Sequence, residues 1–150
     1  MILSAGPDWD ECIDALEAWM HEFPPLECRL IHTRTPGLYV RTILMPVGSL
    51  ITSMTHSSQH PFHILAGTAY VWCAGRWERL SAPTQGITMP GTRRVLYIEQ
   101  DCIWATMHAC DDEETVEEIE DRILVKRTNK FLGGTIKNNI LTKTLEPCLL

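Results

Sequence analysis

Apolar residues recur along this chain with two different periods, and the change of period separates helical ends from a β-rich middle. Near the start, Trp9, Cys12, Ile13, Leu16, Trp19, Met20 and Phe23 fall at helical spacing and form one stripe, which predicts a helix over 8–23. Asp8 or Asp10 is placed to cap it, and acidic side chains crowd its early turns, where the helix dipole favours them. Pro24 and Pro25 end it, because proline cannot continue the hydrogen-bond ladder.

The period then shortens. Runs rich in Val, Ile, Thr, Tyr and Trp follow one another between glycines and prolines: CRLIHT, LYVRTILMP, SLITSMTH, FHILAG, TAYVWCAG, RWERL, QGITMPG, RRVLYIEQ and CIWATMHA. Strands at about ten-residue intervals with turn signals between them predict a sandwich or barrel over 27–110. No helix-length stretch interrupts them, which argues against an α/β parallel sheet. The segment 111–125, DDEETVEEIEDRILV, reads as an acidic helix whose charge suits its dipole, and its acidic run as a solvated face. The tail, 126–150, is broken at Gly133-Gly134 and carries too many apolar residues for simple disorder. It reads as an arm docking onto the barrel or onto a second subunit. The whole is expected to be a single, mainly β domain.

Composition narrows the partners. The 150 residues suffice for one sizeable core, and 45% hydrophobic with 21% charged residues is ordinary for a soluble globular protein. A net charge of −6 argues against a duplex nucleic-acid binder, although a few local arginines can still hold a small anion. No run approaches the roughly 20 apolar residues of a membrane span, and the first residues lack a basic n-region, so the cytoplasm is the expected location. The six cysteines are scattered without a C-x-x-C pair, which favours reduced, mostly buried thiols. Phosphate-binding loops, dinucleotide fingerprints and nucleophile elbows are absent from the sequence, so no nucleotide cofactor is expected.

The most specific block is GSLITSMTHSSQHPFHILAG, from Gly48 to Gly67. His56 and His60 stand four apart beside a strand-to-strand turn, and imidazole is the commonest protein ligand for transition metals. His63 has odd parity relative to His60, so it faces the other side of the strand and reads as packing. Trp72, Trp77, Trp104, Tyr70 and Tyr97 supply aromatic surface, in the core or, for Trp104 and Tyr97, beside a ligand.

This block resembles the first cupin motif, in which a glycine precedes H-x-H, a glutamate and a strand ending in glycine. His56 falls on the second histidine, His60 on the glutamate position and Met54 on the first histidine. The stretch GITMPGTRR, Gly86 to Arg94, is similar to the second motif, with Arg94 in place of the expected histidine. The resemblance covers roughly residues 38 to 109; HSSQHPFHILAG, PGTRRVLYIE and CIWATMHA are also similar to short cupin proteins of phage genomes. It implies a cupin-type jelly-roll β-barrel, in phage the host cytoplasm as its location, and a homodimer formed by pairing of sheet edges.

On this fold the last barrel strand runs beside the first motif, so His108 becomes the expected third ligand with His56 and His60. The ion would be a divalent transition metal such as Fe, Zn, Ni or Mn. Arg94 would point into the barrel and Arg93 outward. A buried guanidinium needs a partner: Glu78 or Glu99, or an anionic ligand. Three functions follow as expectations. The first is a metal-dependent cupin acting on a small anionic molecule by a reaction the sequence does not specify. The second is a non-catalytic module that binds or sequesters a metabolite or nucleotide, and the third a structural or assembly protein.

Overall fold

A computed structural model describes residues 1–4, 9–132, 135–136 and 142–144. In chain order they form β1 (Ile2–Leu3), α1 (Asp10–Met20), β2 (Arg29–Thr35), β3 (Leu38–Met45), β4 (Ser49–Thr52), β5 (His60–Cys73) and β6 (Arg76–Ser81). Then come β7 (Thr84–Thr88), β8 (Val95–Ala109), α2 (Val116–Ile123), β9 (Arg127–Thr128), β10 (Thr135–Ile136) and β11 (Thr142–Thr144).

Two long strands organise the sheet. The sequence breaks FHILAG from TAYVWCAG and RRVLYIEQ from CIWATMHA, whereas the structure fuses each pair, into β5 of 14 residues and β8 of 15. They pair antiparallel along most of their length. The first half of β5 also takes β7 and its second half β6, while β8 takes β4 and then β3. One sheet, in the order β1-β7-β5-β8-β3-β2 with β4, β6 and β11 attached, thus folds over on itself.

Gly67 permits the bend. It has φ +81°, its carbonyl accepts from Ala82 N, and register shifts in β5 surround it. The bulge changes the inward parity of β5 from His60, Phe62 and Ile64 to Ala69 and Val71. On β8, Leu96, Ile98, Cys102, Trp104, Thr106 and His108 keep one parity and are buried. Phe62, Ile64, Ile98 and Trp104 lie in the resulting core with Ile51 and Met45.

Helix α1 covers the outside, where Ile13 and Met20 pack on Leu50 and Val95, with Trp72 against them. It starts later than the sequence suggests. Its N-cap is Trp9, which makes no side-chain cap, so Asp10 does not cap the helix, and Asp8 lies outside the described residues. Helix α2 is also shorter than 111–125, because Thr115 ends the preceding turn by forming a capping box with Glu118. Thr115→Ala is expected to lower stability by about 1 kcal/mol, read from the urea midpoint at unchanged slope. Of the expected tail arm, β11 pairs antiparallel with β4, β9 pairs with β10, and Gly133-Gly134 lies outside the described residues.

Candidate functional site

Three histidines meet at one end of the folded sheet. His60 opens β5 and His108 stands next to the end of β8; the Phe62–Thr106 pair, two residues inward on each strand, sets them opposite one another. His56 lies on the turn between β4 and β5 and is fixed from two sides. Its carbonyl accepts from Gly91 N at 2.9 Å, which ties the first motif to the Pro90-Gly91 turn. From the other side, Leu124 bridges to His56, Thr55 O accepts from Val125 N at 2.9 Å, and Ser57 N donates to Ile123 O at 2.8 Å. The segment after α2 therefore closes over the histidine turn.

The ring centroids are 4.3 Å (His56–His60), 5.3 Å (His56–His108) and 4.6 Å (His60–His108) apart. All three residues are at most 4% exposed. One nitrogen of His60 is engaged, with Nδ1 3.0 Å from Ser58 O, and one of His108, with Nε2 3.0 Å from Thr106 Oγ1. The other nitrogen of each, and both of His56, are buried without a partner. Burial, reinforced by neighbouring His60 and Arg94, depresses the His56 pKa to about 2. Burial and His60 depress that of His108 to about 3, and burial lowers His60 against the pull of Ser58. At neutral pH the cluster is three uncharged imidazoles with free lone pairs.

Beside it lies a cavity of about 60 Å³ lined by His56, Met54, Thr52, Arg41, Arg94 and an apolar wall that includes Trp104. Arg94 is 4% exposed and its guanidinium stands 5.2 Å over the Trp104 ring. Nη1 donates a long hydrogen bond of 3.4 Å to Thr88 Oγ1, and Nε has no partner. Burial lowers its pKa to about 10, which leaves it charged at neutral pH. Neither Glu78 nor Glu99 reaches it; Glu99 pairs instead with Arg79 at 2.7 Å.

Two further expectations change. Tyr97 does not line the cavity: Leu96 and Ile98 point into the core, so strand parity turns Tyr97 to the other face. Arg93 does not face solvent. It is buried beneath α1, with Nη2 2.7 Å from Asp14 and 2.9 Å from Glu17, because α1 covers that side of the sheet. Arg127 and Asn129 complete this network at 2.8 Å from Asp14 and 2.9 Å from Glu17.

The sequence reading missed Arg41. It lines the cavity, pairs with Glu120 of α2 at 3.3 Å and donates to Met54 Sδ at 3.6 Å. The signal was available: Arg41 shares strand parity with Tyr39, Ile43 and Met45, a basic residue on an otherwise apolar face. Met54, at the first histidine position of the cupin motif, thus presents a sulfur already engaged by a guanidinium.

No family model matches this chain, and no curated protein matches it. Among solved structures it is similar to an RmlC-like cupin from Shewanella frigidimarina, with 14% identity over 57% of this chain and 77% of that one and a TM-score of 0.45. It is also similar to the cupin domain of Schizosaccharomyces pombe Cnp3 (15% identity, 61% and 67% covered, TM-score 0.48) and to KdgF from a Halomonas species (14%, 59% and 89%, 0.45). By its own strand order and core, the chain is a mainly β protein whose main sheet folds over on itself around one apolar cluster.

Proposed function

We propose that this protein binds a divalent transition metal through His56, His60 and His108 and receives a small anionic ligand at Arg94. The observation that carries the metal is that each of the three rings keeps at least one buried nitrogen without a partner, because leaving such groups unsatisfied is costly. The ligand atoms of the three rings lie within 4.8 Å of one another. Two nitrogens on one ion at about 2.1 Å each stand at most about 4.2 Å apart, so small side-chain shifts bring them together. Ser58 O and Thr106 Oγ1 orient two of the rings from behind, as metal-binding histidines require. A metal held by three imidazoles supplies Lewis acidity and open positions for water or ligand. The chain's own residues neutralise the anion at Arg94, keep the imidazoles unprotonated by burial, and exclude bulk water behind α2.

Metal analysis of protein purified without an affinity tag tests this reading. Stoichiometric Fe, Zn, Ni or Mn is expected, lost in His60→Ala and in His108→Ala while circular dichroism shows both folded. Met54→Ala is expected to keep its metal, since the thioether is not one of the ligands. Absence of metal after reconstitution, or retention by both histidine variants, overturns it. The homodimer expected from the fold would place its partner at β2, whose outer edge pairs with no strand among the described residues.

A further inference from the structure

Arg94 is a buried cation without a carboxylate partner among the described residues, and its surroundings say what kind of anion fits. From this geometry we infer that the cavity binds a short aliphatic monocarboxylate, its carboxylate on Arg94 and its body against Ile51, Leu96 and Trp104. The inference deepens the anion-binding part of the proposed function and rests on it.

Three observations define the class. The first is charge. Arg41, the other guanidinium of the cavity, is paired with Glu120 at 3.3 Å, so Arg94 is the lining guanidinium that has no carboxylate partner among the described residues. The second is donor geometry. Nε is unpartnered and Nη1 only weakly engaged by Thr88, which leaves part of a planar fork matched to the two oxygens of a carboxylate. The other donors of the space are single groups rather than forks: the Thr52 hydroxyl is buried without a partner, Ser53 Oγ accepts from Arg94 N at 3.0 Å and keeps its own proton, and Arg41 is held by Glu120 and Met54. A carboxylate matches this fork with two oxygens and one charge, whereas a phosphate brings up to two charges to one guanidinium.

The third is size and polarity. A water-sized occupant needs about 10–15 Å³ of such space, so about 60 Å³ admits roughly four to six heavy atoms. The wall facing Arg94 is built from Ile43, Met45, Ile51, Leu96 and Trp104, which favours an aliphatic body over a hydroxylated one.

Isothermal titration of chelator-treated and of metal-loaded wild-type protein with isobutyrate, isobutyramide and inorganic phosphate tests the inference. Saturable binding of isobutyrate is expected, with isobutyramide and phosphate weaker by at least about tenfold, the effect of losing a charge-assisted contact. Arg94→Gln is expected to lose the preference for acid over amide. The comparison of acid with amide on the wild-type chain needs no variant and stands even if that variant misfolds. Equal binding of acid and amide, a preference for phosphate, or no binding of isobutyrate to either form overturns the inference. Stoichiometric metal without isobutyrate binding leaves the metal reading intact and removes this one. Isobutyrate binding to a protein that takes up no metal does the reverse.

Discussion

Arg93→Met is expected to lower the unfolding free energy by about 3–5 kcal/mol, the usual result of removing one partner from a buried ion pair. The wild-type network holds two carboxylates, Asp14 and Glu17, against two guanidiniums, Arg93 and Arg127, so its buried charges balance. Removing Arg93 leaves a surplus negative charge beneath α1. Glu17 is fully buried and, among the described residues, then keeps Asn129 Nδ2 at 2.9 Å and Arg127 at 3.9 Å. Asp14 retains Arg127, which places the loss toward the lower end of the range. For a domain of this length the melting temperature falls by on the order of 10 °C. The double variant Arg93→Met with Glu17→Leu is expected to recover much of the loss, since replacing both members of a buried pair by apolar groups is often neutral. Urea unfolding of the wild type, both single variants and the double variant gives the coupling directly. A coupling near zero would mean that Arg93 acts by packing rather than by charge. The network also joins α1 to Asn129 and Arg127, just beyond α2, so it holds together elements at opposite ends of the sequence.

Gly67→Ala is the second large effect, expected to cost more than about 4 kcal/mol, beyond the range of ordinary substitutions. Two causes add. The φ of +81° disfavours any L side chain, and a Cβ at this position would run into the carbonyl of Asp101 on β8. Neither obstacle is a flexible side chain that can swing away. Gly37 separates the causes, because it has φ +77° with open space where its Cβ would be. Gly37→Ala is therefore expected to lose only about 1 kcal/mol, and the difference between the two variants measures the close approach of β5 and β8. Equal losses would show that the bulge relaxes around the new methyl group. Because the bulge resets the inward parity of β5, relaxation there is also expected to disturb His60, visible as reduced metal uptake.

Much of this architecture was legible in the chain. The strand segments, the breaks between most of them and the inward positions of Phe62, Ile64, Leu96 and Ile98 follow from alternation, since a half-buried strand repeats every two residues. The convergence of His56, His60 and His108 follows motif resemblance and strand adjacency: the register of β5 against β8 sets His60 opposite His108, and contacts to Gly91 and Leu124 hold His56 beside them. The fusion of strands at Gly67 was not legible. Glycine signals a turn and a bulge equally well, and only pairing with β8 on both sides selects the bulge.

The sequence by itself determined a mainly β fold with helical flanks, a histidine pair beside the first turn and an arginine pair just after Pro90-Gly91. These are local facts, written in spacing and residue type. Only the tertiary structure decided which charges meet. Arg93 and Arg94 are neighbours in sequence, yet one is paired with α1 and the other lines a cavity with no carboxylate partner among the described residues. Arg41 reaches Glu120, 79 residues away. Long-range pairing of this kind depends on how the sheet folds over and where α1 and α2 pack against it. Periodicity records only which face of a strand or helix is apolar, not what comes to cover it.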